Sequence, residues 1–268
     1  MSSRLHVVTR GSGAPIVFLH GMGTSAATWN RCMELLEGRF MVIAPDLLGH
    51  GDSPVPDDPQ QYTRDRTLVD LDDILADLAA PPVLVGHSLG GYLALAYAAT
   101  RPEAVRGVVV LNTGPGYRDD TKREEWNARS RRNAPRFGVP EQVTTMNLQE
   151  DSVVMDRLAD MATPTLVLAG GDDRPEYTGA GQYLERKMPH ARLVVIDGGG
   201  HSMHEDTHAS EVADLIAAFA SSADGDAGRL TTAEVIVDVA DQAVDAGIVE
   251  RDRDAGTSAG GDSLRPPE

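Results

Sequence analysis

Short apolar runs alternate along this chain with longer segments of helical period, and this alternation constrains the fold more than any other feature. Several of the runs are continuously apolar, as expected for strands that are covered on both faces. The alternation predicts an α/β fold, with a mostly parallel sheet and helices on both faces. The predicted strands are 5–9, 15–19, 41–44, 82–85, 108–111, 165–169 and 192–196, and the predicted helices are 26–37, 64–79, 89–100, 179–188 and 210–220.

Two stretches depart from this alternation. Residues 114–162 contain no strand-like run and are polar and rich in Arg, so we interpret them as a short helical lid inserted over one end of the sheet. The main domain is expected to span residues 1–222. Residues 223–268 are predicted to form a polar linker, one helix that starts with capping-box spacing at residues 231–234, and a disordered tail.

Composition excludes several classes of protein. The formal net charge of −17 argues against nucleic acid as a partner, because phosphate repels such a surface. Coding bias and adaptation to high salt both remain open as explanations of this acidity. Cys32 is the only cysteine, so no intrachain disulfide can form. No run approaches the roughly 20 apolar residues of a membrane helix, and the start lacks a signal-peptide pattern. We expect a cytoplasmic protein; its oligomeric state is not predicted.

The strongest chemical signal is the sequence Gly86-His87-Ser88-Leu89-Gly90 between a predicted strand and a predicted helix. This is the strand–turn–helix context of a nucleophile elbow, where small residues on either side let strand and helix approach. The turn pushes the serine out at the carboxyl edge of the sheet, beside a helix N-terminus that favours negative charge. The pattern predicts that Ser88 is a nucleophile.

A serine nucleophile needs a base, and the base needs an orienting acid. Asp172 and Asp173 follow one later strand, and His201 follows the next, after three glycines. Both loops come at the carboxyl ends of strands, the same edge as Ser88, and the order Ser, Asp, His is the one expected for this architecture. Either aspartate alone would be a solvated turn residue, and a single histidine would be a packing residue. Their order makes a catalytic set the better interpretation.

An oxyanion that forms on the substrate requires backbone N–H donors. The N–H of Leu89, directly after the serine, is one candidate. The second must come from a loop after an adjacent strand, and Met22 in His20-Gly21-Met22-Gly23 is the best candidate. The His-Gly-x-Gly sequence is weak by itself, because it also suits an ordinary turn.

With these residues in order, the chain resembles the α/β-hydrolase fold superfamily over about residues 5–220, and in particular its single-domain esterases and lactonases with a short lid. The usual acid of that family is the last residue of a Gly-x-x-Asp turn, which implies Asp173 rather than Asp172. Epoxide hydrolases and haloalkane dehalogenases of this fold use an aspartate at the elbow, so Ser88 disfavours them. The resemblance implies hydrolysis of a small ester or lactone through an acyl-enzyme, without a cofactor or metal.

Other interpretations remain. His204-Glu205-Asp206-Thr207-His208 matches the zinc-protease signature His-Glu-x-x-His, which requires both histidines on one helical face. The match falls where the last helix should begin, so we interpret it as a polar capping turn. The same triad could instead hydrolyse carbon–carbon bonds, transfer acyl groups or catalyse cofactor-free peroxidation. A non-catalytic ligand-binding protein is a further alternative, because fold does not fix function.

Overall fold

All seven predicted strands are present in the computed structural model, which describes residues 5–205 and 207–222. The linker, helix and tail predicted for residues 223–268 lie outside the described residues. The strands are β1 (Val7–Arg10), β2 (Pro15–Leu19), β3 (Met41–Pro45), β4 (Val83–His87), β5 (Gly107–Leu111), β6 (Thr165–Gly170) and β7 (Ala191–Ile196).

The strands form one sheet in the order β1-β3-β2-β4-β5-β6-β7. Every pair of neighbours is parallel except β1 with β3. This confirms the predicted α/β class. Because β2 and β4–β7 run in the same direction, the loops that follow them meet at one edge of the sheet, which we call the carboxyl edge.

Among the described residues, seven α-helices accompany the strands, and three of them differ by four residues from their predicted bounds at one end. They are α1 (Asn30–Leu36), α2 (Arg64–Leu75), α3 (Leu89–Thr100), α4 (Asp120–Asn133), α5 (Val153–Arg157), α6 (Pro175–Lys187) and α7 (Ala209–Ser222). The segment predicted as one helix over 26–37 begins with a 3-10 turn. Helix α2 ends at Leu75, before the predicted 79. Helix α6 begins at Pro175, four residues early, because proline suits the first helical position.

The sheet separates two apolar cores. On one face, α1 and α7 cover β-strand side chains such as Phe18 and Val109. On the other face, α2, α3 and α6 cover Val17 and Val110. Alternate side chains of each strand therefore point into different cores, and the central strands are buried throughout. No helix of the described part of the chain is long and apolar enough to cross a membrane.

The lid segment, residues 114–162, contains α4, α5 and short 3-10 turns. It is joined to the body by apolar contacts, since Val143, Met146 and Val154 are buried in the same core as α2 and α3. It is also joined by an ion pair, in which Arg64 of α2 donates to both carboxylate oxygens of Asp151 at 2.5 and 3.0 Å. The segment is thus tethered to the helices on one face of the sheet.

Candidate active site

Ser88 occupies a strained turn between β4 and α3. Its φ of 52° and ψ of −114° lie in a region that side-chain-bearing residues rarely adopt. A Cβ atom on Gly86 would lie 2.2 Å from the Gly90 carbonyl oxygen, and one on Gly90 would lie 2.1 Å from that of Leu19. Only glycine fits at both places, so strand and helix close tightly around Ser88. This is the geometry that a nucleophile elbow requires.

His201 and Asp173 form a direct pair on the loops after β7 and β6. The Nδ1–H of His201 donates to Asp173 Oδ2 at 2.7 Å. The other oxygen of Asp173 accepts the backbone N–H of Arg174, also at 2.7 Å. The Asp173 side chain is 4% exposed, whereas that of His201 is 39% exposed. A proton held on Nδ1 leaves Nε2 free to accept a proton from another group. Asp172 is exposed and makes no such contact with His201.

The residue before the serine brings the histidine loop to the same edge. The Nε2–H of His87 donates to the backbone carbonyl of His201 at 2.8 Å, and the two rings lie 4.8 Å apart. Tyr177 of α6 covers another part of the His201 ring, also at 4.8 Å. The structure therefore gathers Ser88, Asp173 and His201 at the carboxyl edge, and His201 is held between two rings.

The loop after β2 lies directly against Ser88, since a Cβ on Gly21 would be 3.5 Å from the Ser88 Cβ. Met22 follows in this loop and is partly buried. Leu89 is the first residue of α3, and N–H groups of a first helical turn have no acceptor within the helix. Both N–H donors that the sequence suggested thus belong to segments that border Ser88.

Two buried histidines shape this loop, a role that the sequence analysis missed. His20 donates from Nδ1 to the Gly21 carbonyl at 2.8 Å and accepts the Leu47 N–H on Nε2 at 2.9 Å. His50 accepts the Gly23 N–H on Nε2 at 3.1 Å. Burial lowers the pKa of His20 to about 4, and also lowers the pKa of His50, so both rings are neutral at physiological pH.

Cys32 is excluded as a nucleophile by its surroundings. It is fully buried, and its thiol donates to the His204 carbonyl at 3.4 Å. Burial raises the pKa of this thiol to about 12, so the reactive thiolate does not form at neutral pH. Cys32 therefore offers no nucleophile at the carboxyl edge.

The His-Glu-x-x-His sequence does not lie on a helix. His204, Glu205 and His208 fall in turns before α7, which begins at Ala209. The His204 ring is packed between Trp29 and His87, at 4.2 and 4.4 Å, and burial lowers its pKa to about 3. Glu205 is exposed. The two histidines of this motif therefore do not lie on one helical face, as a zinc site of this kind requires.

A different group of three residues has metal-ligand spacing among the described residues, namely His6, Asp46 and Asp52. Its central carboxylate is already engaged: Asp46 accepts the N–H groups of Ala26 and Asp52 at 2.7 and 2.9 Å. It also accepts from His6 Nδ1 at 2.9 Å. These bonds close the turn after β3, which is a structural role.

Four basic residues of the lid face partners within it. The i,i+4 pairs that helical spacing suggests, Asp119 with Arg123 and Glu125 with Arg129, are not those in the structure. Asp119 instead caps α4 by accepting the Lys122 N–H at 2.9 Å. The cations face other partners: Arg118 pairs with Asp156, Arg123 with Asp120, Arg131 with Glu124, and Arg129 lies over the Trp126 ring.

Asn112 is a second residue that the sequence analysis missed. It follows β5 at the carboxyl edge, is buried, and has a φ of 47°. Ser88 and Asn112 are the two non-glycine residues of the described chain with positive φ. The available signal was an asparagine directly after a strand, because asparagine adopts this conformation more readily than most residues.

Comparison with known proteins identifies the family. A sequence profile of the Alpha/beta hydrolase family matches residues 16–215. The chain belongs to this family. A curated protein of Bacillus subtilis (strain 168), named putative 2-succinyl-6-hydroxy-2,4-cyclohexadiene-1-carboxylate synthase, is 26% identical over 233 residues, covering 70% of this chain and 84% of that protein. Several other curated relatives are 34–40% identical, but the matches span less than half of their length.

Solved structures of related proteins share the fold. An esterase of Thermogutta terrifontis superposes with a TM-score of 0.71 at 23% identity, covering 82% of this chain and 93% of that one. The structure of Est816, described as an N-acyl homoserine lactone degrading enzyme, gives a TM-score of 0.65 at 26% identity, covering 80% and 96%. Proteins described as acting on different substrates thus share this fold.

Proposed function

We propose that this hydrolase-family chain cleaves a small carboxylic ester or lactone through an acyl-enzyme on Ser88. The observation that carries the proposal is the 2.7 Å bond from His201 Nδ1–H to the buried carboxylate of Asp173, at the edge that also bears Ser88. That bond fixes the tautomer in which Nε2 is the base. The strained Ser88 turn supports the same conclusion.

In the proposed acylation step, His201 Nε2 takes the proton of the Ser88 hydroxyl as Oγ attacks the substrate carbonyl. The N–H groups of Met22 and Leu89 stabilise the oxyanion, and Asp173 stabilises the imidazolium. When the carbonyl re-forms, His201 gives its proton to the leaving alkoxide. In a lactone that alcohol stays attached to the acyl group.

Deacylation repeats these steps with water as the nucleophile. His201 Nε2 takes a proton from water, the hydroxide attacks the acyl carbonyl, and the proton returns to Ser88 Oγ as the carboxylic acid leaves. Each group is restored at the end of the cycle. No step requires a metal or a cofactor.

The substrate class is tested with the purified full chain and a graded panel. The panel contains aryl esters of increasing acyl length, simple lactones and acyl-homoserine lactones, each assayed with the wild type and with Ser88→Ala. We expect turnover of at least one short ester or lactone, with one acid released per bond cleaved and almost none by the variant. Turnover that is equal in both proteins would reject the proposal.

A second candidate is different chemistry on the same three residues. The similarity to the B. subtilis relative favours it, because that protein is named a synthase rather than an esterase. The same panel separates the two candidates. A chain that is covalently labelled at Ser88 by an acylating or phosphonylating reagent, yet hydrolyses no member of the panel, would favour the second.

A further inference from the structure

Asn112 lies where three loops of the carboxyl edge meet. It is the first residue after β5, the strand between the one that precedes Ser88 and the one that precedes Asp173. Its backbone N–H donates to the Leu168 carbonyl of β6 at 3.0 Å, which extends the ladder between the two strands. The side chain is therefore directed from a fixed point on the sheet, and it is 2% exposed.

The Asn112 side chain binds the acid loop and the base loop at the same time. Its Oδ1 accepts the N–H of Gly170, the last residue before the turn that carries Asp173, at 2.8 Å. Its Nδ2 donates to the carbonyls of Gly200 and His201 at 3.0 and 2.8 Å. Both amide hydrogens and the amide oxygen are thus engaged. No shorter or purely apolar side chain can make this set of bonds.

The His201 carbonyl receives two side-chain donors, one from Asn112 and one from His87 at 2.8 Å. One donor follows β5 and the other ends β4, directly before Ser88. The backbone of His201 is therefore held from the side of the nucleophile as well as from the side of the acid. Buried hydrogen bonds of this kind are stronger than those in water, and the loops between them cannot shift independently.

The positive φ of Asn112 adds a second, independent observation. Non-glycine residues keep this conformation where the surroundings require it, and such residues cluster at functional sites. In the described chain the only other such residue is Ser88. At Asn112, the positive φ accompanies side-chain bonds to both loops.

We infer that Asn112 is a positioning residue that sets the relative placement of Asp173 and His201, and so the direction of His201 Nε2 toward Ser88. This inference rests on the proposed function for its effect on activity. The geometric part of the inference does not depend on the proposed function, because the Asn112 side chain bonds only to the backbone of the loops that carry Asp173 and His201. Asn112 touches no reacting atom and is not itself catalytic.

Two substitutions distinguish the effect of the Asn112 side-chain bonds from the effect of its backbone conformation. Asn112→Gly accepts the positive φ without strain and removes all side-chain bonds. Asn112→Asp keeps the size and the acceptor for the Gly170 N–H, but as a carboxylate it has no hydrogen to donate to the Gly200 and His201 carbonyls. Thr165→Ala is the control, because Thr165 is equally buried at the opposite end of β6, where its hydroxyl donates to the Thr163 carbonyl at 3.1 Å.

The first readout is the rate at which a fluorophosphonate labels Ser88, measured beside kcat and KM on an ester. We expect Asn112→Gly and Asn112→Asp to lower the labelling rate and kcat by about 10²-fold, the size of effect that a misplacement of about 1 Å produces. KM should change little. Thr165→Ala should lower the melting temperature and leave the labelling rate of the folded protein unchanged.

The second readout is the proton resonance of His201 Nδ1–H, identified by its loss in His201→Ala. A proton in a short bond to a carboxylate is deshielded, and we expect its signal to move upfield or broaden in both Asn112 variants but not in Thr165→Ala. An unchanged resonance together with a wild-type labelling rate would overturn the inference. If the wild type is not labelled at Ser88, the proposed function fails, and the resonance still decides whether Asn112 positions the pair.

Discussion

The carboxyl edge of the sheet and the lid segment are stabilised by different kinds of polar contact. At the edge, the Asp173 side chain is 4% exposed and Asn112 as a whole is 2% exposed, and their bonds join separate loops. In the lid, a typical pair is Arg131 with Glu124, whose side chains are 55% and 68% exposed. Buried bonds are strong and geometrically strict, whereas exposed ion pairs are screened and weak. The strict geometry that the proposed mechanism requires is therefore found at the edge, and the tolerant surface contacts are found in the lid.

The largest expected effect lies at the edge, in Asp173→Asn. The asparagine amide is neutral, and its NH2 group can donate to Nδ1, so His201 can adopt the wrong tautomer, and we expect kcat to fall by about 10⁴-fold. The matched control is Asp172→Asn, because Asp172 is the exposed neighbour in the same turn. Steady-state kinetics on one ester checks both. Similar losses in the two variants would show that the turn as a whole, rather than its second aspartate, is required.

The position of the turn that carries Asp173 could be predicted from the sequence, whereas other parts of the edge could not. Apolar runs and ordered motifs located every strand and gathered Ser88, Asp173 and His201 at one edge. They did not indicate Asn112, His20 or His50, because those side chains act through contacts between residues far apart in the chain. Spacing along a helix also failed to identify the ion pairs that form in the lid. Helical spacing suggested Asp119 with Arg123, but Asp119 is needed to cap α4, and Arg123 pairs with Asp120 instead.

The second prediction concerns acid, which should destabilise the edge. Burial lowers the pKa of His20 to about 4 and that of His204 to about 3, both below the ordinary 6.5. As the pH falls, these two histidines are protonated in the unfolded chain near pH 6.5 but in the folded chain only near pH 4 and 3. Their contribution to the free energy of unfolding is therefore fully present above about pH 6.5 and is lost as the pH drops toward the folded pKa values. For His20 the loss is about 3 kcal/mol by pH 4.

Melting temperatures across this pH range check the acid prediction. His204→Phe should flatten the dependence below pH 6.5, whereas His190→Phe, at an exposed histidine, should not. The lid segment contains no histidine, so hydrogen exchange should show the edge opening before the lid helices as the pH falls. A melting temperature that is constant from pH 6.5 to 4 would contradict the assignment of neutral buried rings.

A smaller effect is expected where the lid meets the body. Asp151→Asn removes the carboxylate charge that pairs with Arg64. We expect the free energy of unfolding to fall by about 1 kcal/mol, a modest loss because the Asp151 side chain is 49% exposed to screening solvent. KM should rise more than kcat falls, since the lid would be held less firmly. Asp65→Asn is the control, because it also removes a contact of Arg64 but one that lies within α2. A larger change in kcat than in KM would show that the lid contributes to the chemical step and not only to substrate binding.

The smallest effect is expected within the lid surface. Arg131→Ala breaks the exposed pair with Glu124, and exposed pairs contribute less than about 1 kcal/mol. We expect unchanged kcat and KM for neutral esters, and little salt dependence for carboxylate-bearing esters, because several lid cations already face lid partners. A strong preference for anionic esters that vanishes in molar salt and in this variant would show that the lid attracts its substrate electrostatically.

The identity of the nucleophile is the most direct test of the serine mechanism. The full chain is treated with a fluorophosphonate, digested, and examined by mass spectrometry, with Ser88→Ala and, as the control, Ser202→Ala at the exposed serine beside His201. We expect one adduct, on Ser88, with complete loss of activity in the labelled protein and in Ser88→Ala. Ser202→Ala and treatment with EDTA should leave activity unchanged. An active Ser88→Ala protein that is inhibited by chelators and by Glu205→Gln would contradict the serine mechanism.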